Sequence, residues 1–339
     1  MLTTKTAEHI QEQKATSPNT LRVGVIGYGY WGPNLARNIS EVNGAELIQV
    51  VDQDPKRQTL AKKRFPHIQT ASGIESLIHN SKIDAVFITT PISTHYEIAK
   101  AALEAGKHVL VAKPLAASSK EADELVRLAD KHKRVLMVDH TFIYTRAVQK
   151  IKEIVKRGEL GDIYYFDSVR VNLGLFQQDL NVVWDLAPHD LSILMYVLEK
   201  EPLSLIATGA RHSHSQIENM AYISMELART IMAHLHVNWL APVKVRLTMI
   251  CGRKKMLIYD DLEADEKIKV YDRGIEVSKN NKEGLYKTLI EYRTGDMYAP
   301  NIEKVEALKL ECEHFVECVQ EGRRPITDGH TSLKVVRIL

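Results

Sequence analysis

The stretch RVGVIGYGYWGPNLARN, residues 22 to 38, carries an unbroken apolar run straight into an amphipathic one through a G-x-G-x-x-G turn. Few features constrain a fold as tightly. Gly27 permits a sharp turn, Gly29 lets the backbone approach a pyrophosphate, and Gly32 allows strand and helix to pack closely. The start of the following helix offers free N–H groups and a partial positive charge to an anion. With Tyr30 and Trp31 between them, Gly27, Gly29 and Gly32 form the candidate phosphate cradle of a dinucleotide. Asp52 ends the next apolar run, ELIQVV, twenty residues past Gly32, where a carboxylate accepts hydrogen bonds from adenosine ribose hydroxyls. That favours NAD, while Lys56 and Arg57 keep NADP open. Capping the helix that begins at Pro55 is a second role for Asp52, compatible with the first.

The rhythm then repeats. Amphipathic stretches over 33–42, 55–65, 94–105 and 118–132 alternate with the apolar runs DAVFIT, HVLVA and RVLMV. Runs of this kind are what strands buried on both faces require, so residues 21–140 predict a doubly wound parallel sheet of Rossmann type. After Asp139 the pattern changes. A helix over 146–157 leads to the strand IYYFDSVRVNL and a helix over 184–199. Strand-like segments follow at 203–211, 219–227, 229–238, 244–251 and 255–260, with a helix over 302–321. Residues 141–339 therefore read as an α+β domain with a large, mostly antiparallel sheet, whose final helix is free to pack back on the first domain. Residues 1–20 are polar, include Glu8 and Glu12, and read as a tail rather than a targeting signal. SLKVVRIL reads as a helix broken off after two turns, which leaves open a continuation past Leu339.

Composition narrows the partners. The 45 basic and 43 acidic side chains give a net charge of +2, so no field is available to neutralise a run of nucleic-acid phosphates. A small molecule is the expected partner. No apolar run approaches the roughly 18 residues of a membrane span. Cys251, Cys312 and Cys318 are odd in number and lack a C-x-x-C spacing, which points to the reducing cytoplasm rather than to disulfides or zinc. His212 with His214, and His234 with His236, each place two imidazoles on one side of a strand without an acidic or thiol partner, so no metal is expected.

The carboxyl ends of parallel strands are where ligands bind in such sheets. TTPISTH, residues 89–95, follows one of them, so Thr90, Pro91 and Thr94 are candidates for the cofactor floor. His95 joins them as a helix-start residue rather than a catalyst. Lys113, before Pro114, ends another strand whose interior is wholly apolar; it reads either as a solvent-facing loop lysine or as a group beside the reacting ring. In WDLAPHDLSIL, residues 184–194, Asp185 and His189 are four apart and share one helix face, with Leu186, Leu191, Ile193 and Leu194 on the buried side. A capping aspartate with a core histidine is one reading, and a reactive pair is the other. With Asp185 near the helix start, Pro188 falls in the opening turn, where its missing N–H costs nothing. Arg170 and Asn172 alternate onto one face at the end of a strand, as substrate contacts or as a polar sheet face at a subunit contact. Trp184 and Tyr144 suit either a sugar ring or the buried domain junction.

GYGYWGPNLARN, TPISTHYEIAKAALEAGKHVLVAKP and WDLAPHDLSIL, in this order and spacing, resemble the glucose-fructose oxidoreductase, inositol dehydrogenase and MocA family of NAD(P)-dependent oxidoreductases. The resemblance covers residues 20 to 339. It implies a Rossmann domain followed by an antiparallel α/β domain whose sheet mediates homodimer or homotetramer contacts. It also implies that Lys113 matches the lysine of the family's E-K-P motif, often followed by a cis bond, and that Asp185 and His189 match its paired aspartate and histidine. Ala112 stands where that motif has glutamate, which puts a tuning hydrogen bond or charge in doubt but not the lysine. The implied activity is hydride transfer between nicotinamide and a ring hydroxyl of a sugar, with nucleotide-linked sugars reacting at carbon 3 as the leading class. Free-sugar or inositol dehydrogenases and a non-catalytic NAD(H) sensor are the alternatives. In the enzymatic reading Lys113, Asp185 and His189 are catalytic and also contact substrate. His189, with an ordinary pKa near neutrality, takes the hydroxyl proton. Asp185 orients His189 or touches the sugar, and Lys113 orients the hydroxyl beside the nicotinamide; lysine and histidine can exchange the acid/base role.

Overall fold

The computed structural model describes residues 20–174, 180–212, 215–278 and 289–339. The first half is β1 (Leu21–Ile26), α1 (Gly32–Glu41), β2 (Ala45–Val51), α2 (Pro55–Arg64), β3 (Gln69–Ala71), α3 (Glu75–Ile78), β4 (Ala85–Ile88), α4 (His95–Glu104), β5 (His108–Ala112), α5 (Ser119–His132) and β6 (Leu136–Asp139). Its six strands are parallel in the order β3-β2-β1-β4-β5-β6. Val23, Val25, Val86, Phe87, Val109, Leu110 and Val111 are fully buried, as apolar strands covered on both faces must be. The strand order reverses between β1 and β4, and the crevice beyond that point is where the glycine turn lies.

The second half contains α6 (Arg146–Lys156), β7 (Ile163–Leu173), α7 (Val182–Leu198), β8 (Ser204–Ala210), β9 (Met220–Ala228), β10 (Ile231–Asn238), β11 (Leu240–Gly252), β12 (Met256–Asp260), β13 (Ile268–Ser278), β14 (Leu289–Tyr298), α8 (Ala307–Glu321) and α9 (Gly329–Ile338). The eight strands run β14-β13-β12-β11-β7-β10-β9-β8, with β7 and β10 parallel and the other neighbours antiparallel. One face is sealed by α6 and α7, whose Ile151, Ile154, Leu191 and Leu194 pack on Phe166, Leu235 and Ile250. The opposite face carries Tyr222, Met232, His234 and His236, and Tyr222 and Met232 are exposed.

Besides β3 and α3, which the sequence reading did not contain, three further points differ from the sequence expectation. Strands β13 and β14 had no counterpart, because charged residues and Gly274 dilute their alternation. The helix expected from residue 302 begins at Ala307: Glu306, with extended backbone, is held by Arg37 and Asn38 of α1 and ends the preceding segment. Asn181 rather than Asp185 caps α7, accepting from the N–H groups of Val183 and Trp184 at 3.1 and 3.2 Å. Asp185 stays in the first turn, but Pro188 lies inside the helix instead of opening it. Its missing N–H leaves the Trp184 carbonyl without a helical donor.

The last two helices return to the first domain. Leu308, Cys312 and Phe315 of α8 share a core with Leu35, Ile39 and Phe87, while Leu333 and Val336 of α9 join Leu125 and Val126 of α5 on the other face. Phe315 meets Phe87 edge-on at 5.1 Å and is fully buried. Phe315→Ala should therefore cost about 3–5 kcal/mol of stability, read from urea unfolding, although residue 315 lies far from the first domain in sequence.

Candidate active site between the two sheets

The glycine turn has the form its spacing predicts. Gly27 is at φ +91°, and a Cβ on Gly32 would stand 2.1 Å from the Gly27 carbonyl oxygen, so neither position tolerates a side chain. Thr89, just past β4, donates its hydroxyl to that same carbonyl at 2.7 Å. A Cβ on Gly29 would meet no atom closer than 3.5 Å, so the approach to its backbone is open. Tyr30 is exposed, whereas the Trp31 indole turns inward and donates to the Asp139 carboxylate at the end of β6. Asp52 accepts from Tyr28 N–H at 2.6 Å and from Asp54 N–H at 2.9 Å. Its capping role falls away: Asp54 caps α2 through Lys56 N–H. The Arg57 guanidinium lies 3.6 Å from Asp52.

Thr90, Pro91 and Thr94 form one tight turn, in which the Thr94 hydroxyl is 2.7 Å from both the Thr90 hydroxyl and the Pro91 carbonyl. His95 corrects its assignment to the cofactor surface. It is buried, and its two ring nitrogens lie 2.9 Å from the carbonyls of Pro114 and Thr90, so neither is free for a ligand. The imidazole instead ties the floor to the Lys113–Pro114 segment, whose peptide bond is cis.

From the end of β5, Lys113 reaches α7. Its Nζ lies 3.1 Å from Asp185 Oδ1 and 2.5 Å from the Asp185 carbonyl oxygen, next to the carbonyl that Pro188 leaves without a donor. Asp185 Oδ2 accepts from the Trp239 indole at 3.0 Å. Both carboxylate oxygens are thus occupied, which overturns the expectation that Asp185 orients His189: the aspartate orients the lysine. His189 stands on the same helix face with its ring edge-on to Phe142 at 5.0 Å, and its buried Nδ1 has no partner among the described residues. Burial, reinforced by the charge of Lys113 and then of Arg170, His140 and Arg246, pushes its pKa well below the ordinary histidine value. The imidazole is therefore neutral at pH 7, a weaker base than expected, with a free nitrogen.

Arg170 is also corrected. Its guanidinium makes two bonds to Asp190, at 2.8 and 2.9 Å, inside the protein and above Phe142, leaving only one buried nitrogen, Nη1, without a partner. Asn172 lies half-buried toward the end of β7. Trp184 is half-buried against the first domain's core, and Tyr144 is buried with its hydroxyl 3.3 Å from Thr327, so Tyr144 belongs to the junction. His212 lies 3.1 Å from the Asn219 side chain, and His214 lies outside the described residues. Among the described residues no three His, Cys, Asp or Glu side chains come together as a metal site.

Sequence reasoning missed His140, Phe142 and Trp239. His140 follows β6 directly, so its position at a strand's carboxyl end was the available signal. It is buried, both ring nitrogens lack partners, and burial with the nearby Lys113 lowers its pKa to about 3. Trp239 gave no signal, because only the fold brings β10 to Asp185.

Comparison with known proteins agrees with this geometry. Residues 21–140 match the model of the oxidoreductase family with an NAD-binding Rossmann fold, and residues 148–258 match the GFO/IDH/MocA C-terminal domain. The chain belongs to the Gfo/Idh/MocA oxidoreductases. It is 26% identical to a UDP-N-acetylglucosamine 3-dehydrogenase of Acidithiobacillus ferrooxidans, over 93% of this chain and 94% of that protein. The solved structure of that dehydrogenase superposes with a TM-score of 0.77 at 24% identity, covering 94% of this chain and 95% of the other. It is 22% identical to a scyllo-inositol 2-dehydrogenase (NADP(+)) of Bacillus subtilis, over 95% of this chain and 92% of that protein. An oxidoreductase of Escherichia coli without assigned substrate is 35% identical, but the match spans only 50% of this chain and 51% of that protein. No helix among the described residues is long and apolar enough to cross a membrane.

The buried imidazoles make stability depend on pH. His95, His140 and His189 have lowered pKa values when folded, so between about pH 6.5 and their folded values the unfolded chain binds more protons than the native one. Stability is then lost as pH falls below about 6.5, each group contributing up to about 1.4 kcal/mol per pH unit. Urea midpoints at neutral and mildly acidic pH should show the loss, and His140→Phe should reduce it.

Proposed function

We propose that this Gfo/Idh/MocA protein is an NAD(P)-dependent dehydrogenase or reductase acting on a ring hydroxyl of a sugar, with a nucleotide-linked sugar reacting at carbon 3 as the leading substrate. The observation that carries the reading is the reach of Lys113 from the nucleotide-binding sheet onto the helix bearing His189. Residues present suit a dinucleotide: the backbone at Gly29 is open, the start of α1 follows it, and Asp52 stands at the ribose position. Bound NAD would supply the hydride acceptor.

The chain's own groups do the rest. Lys113, steadied by the backbone carbonyl and Oδ1 of Asp185, points its remaining hydrogen toward a substrate hydroxyl and stabilises negative charge as it develops there. His189 takes the proton on a nitrogen that no other described residue uses. Its depressed basicity makes it an equally ready donor in the reverse direction. Exchange of these two roles remains the competing assignment, and Asp185 serves it as the lysine's anchor. Trp184 and Asn172 are the substrate-binding candidates at the rim of the cleft.

The carbon-3 nucleotide sugar is favoured by the Acidithiobacillus relative, which matches along nearly the whole chain. A free sugar or inositol is the second reading, supported by the Bacillus relative. The outward face of the eight-stranded sheet, with Tyr222 and Met232, supports assembly as a homodimer or homotetramer. Free thiols at Cys251, Cys312 and Cys318 suit the cytoplasm.

Turnover is tested by following nicotinamide absorbance across a panel of UDP-sugars, free sugars and inositols. His189→Ala should lower kcat by about a hundredfold or more, with NADH binding retained. Wild-type rates in that variant would defeat the assignment of His189, and no turnover of any panel member would defeat the dehydrogenase reading. A second prediction concerns Asp52, whose charge disfavours a 2′-phosphate: Asp52→Ser should reduce the NAD to NADP ratio of kcat/KM by about tenfold, one hydrogen-bonded charge's worth of discrimination.

A further inference from the structure

We propose that Trp239 is a positioning residue whose indole N–H fixes the Asp185 carboxylate so that its other oxygen holds Lys113 at the cleft. The proposal rests on the dehydrogenase reading for its catalytic meaning. The chain of contacts is complete: Trp239 Nε1 to Asp185 Oδ2 at 3.0 Å, then Asp185 Oδ1 to Lys113 Nζ at 3.1 Å. It crosses three parts of the fold, from the end of β10, through the first turn of α7, to the end of β5.

The indole is itself immobilised. Trp239 is fully buried where β10 passes into β11, its backbone N–H donates to the Asn219 carbonyl at 3.0 Å, and its backbone carbonyl accepts from Gly174 N–H at 3.0 Å. Gly174 lies flat on the ring, since a Cβ there would come within 2.5 Å of Trp239 Cδ1. A carboxylate turns about its last torsion with little preference of its own. With one oxygen pinned by a rigid donor, that rotation is removed, and the other oxygen stays on Lys113. Without the indole N–H the carboxylate is free to turn, and Lys113 keeps only the Asp185 carbonyl as a partner.

A buried tryptophan needs an acceptor, and a backbone carbonyl would meet that need as well. Trp239 spends its N–H instead on a residue that touches Lys113. The other titratable groups around this lysine, His95, His140 and His189, are all held toward the neutral form, leaving Asp185 as the anion in contact with it.

Two variants separate this role from packing. Trp239→Phe keeps an aromatic ring and removes the N–H; Gly174→Ala keeps the N–H and displaces the ring. With the best substrate of the panel, both should lower kcat by about tenfold or more and leave KM and the NADH dissociation constant within about twofold, the split expected when an ammonium group loses its alignment while binding is kept. Independently of turnover, competitive acylation of Lys113 by acetic anhydride at one fixed pH, read by mass spectrometry, should be faster in both variants, because the amine is released from the Asp185 carboxylate. An unchanged rate of Lys113 acylation overturns the proposal, even if both variants lose thermal stability. If the wild type turns over no substrate while acylation is faster as expected, the dehydrogenase reading fails and the positioning role stands.

Discussion

The contact between Lys113 and Asp185 is the constraint on which the architecture turns. A lysine at the end of a parallel strand and an aspartate in a helix of the second domain meet with a charge-assisted bond and a carbonyl bond on one ammonium group. Both side chains are about one-fifth to one-quarter exposed, 21% and 25%, so the pair is shielded enough for geometry to matter and open enough to face a ligand. The proline inside α7 prepares the meeting by taking one donor out of the helix beside it. A segment that would otherwise be an ordinary amphipathic helix thereby presents backbone oxygen as well as side chains to the neighbouring domain.

Around this contact the protein keeps an uneven polar interior. Arg170 and Asp190 are both almost wholly buried and satisfy each other through two parallel bonds, the arrangement that best offsets the desolvation of two ions. By contrast, both ring nitrogens of the buried His140, and the buried Nδ1 of the half-buried His189, are satisfied by no described residue. Such groups are expensive unless water or a ligand completes them. Both rings lie close enough to Lys113 for its charge to lower their basicity further. Glu311, fully buried, is pushed well above the ordinary carboxyl range by burial and by Asp139.

Much of this was legible in the amino-acid sequence, for reasons that differ by element. The parallel sheet announced itself because strands buried on both faces leave no room for polar residues, and the glycine turn because a Cβ at Gly27 or Gly32 has nowhere to go. The lysine stood out as a polar group ending an apolar run, and the histidine as sharing a helix face with Asp185. Asp185 was legible as a member of the site but not in its task, since spacing on a helix shows which residues share a face and not which of them bond. Arg170 looked available because alternation reveals a face, whereas the Asp190 that occupies it comes from another element. Trp239, Phe142 and the two late strands were silent: their partners are set by tertiary pairing, and charged positions blur the alternation of β13.

The return of α8 and α9 to the nucleotide-binding sheet has a consequence for how the molecule comes into being. Phe315 and Leu333 complete opposite faces of a layer whose strands are made first, so during synthesis that layer emerges from the ribosome with both apolar faces incompletely roofed. The nascent first domain cannot close its own interior until α8 and α9 have been translated. Segments that touch in the finished particle are thus made with the entire second sheet between them, so that closing one layer waits on the synthesis of another.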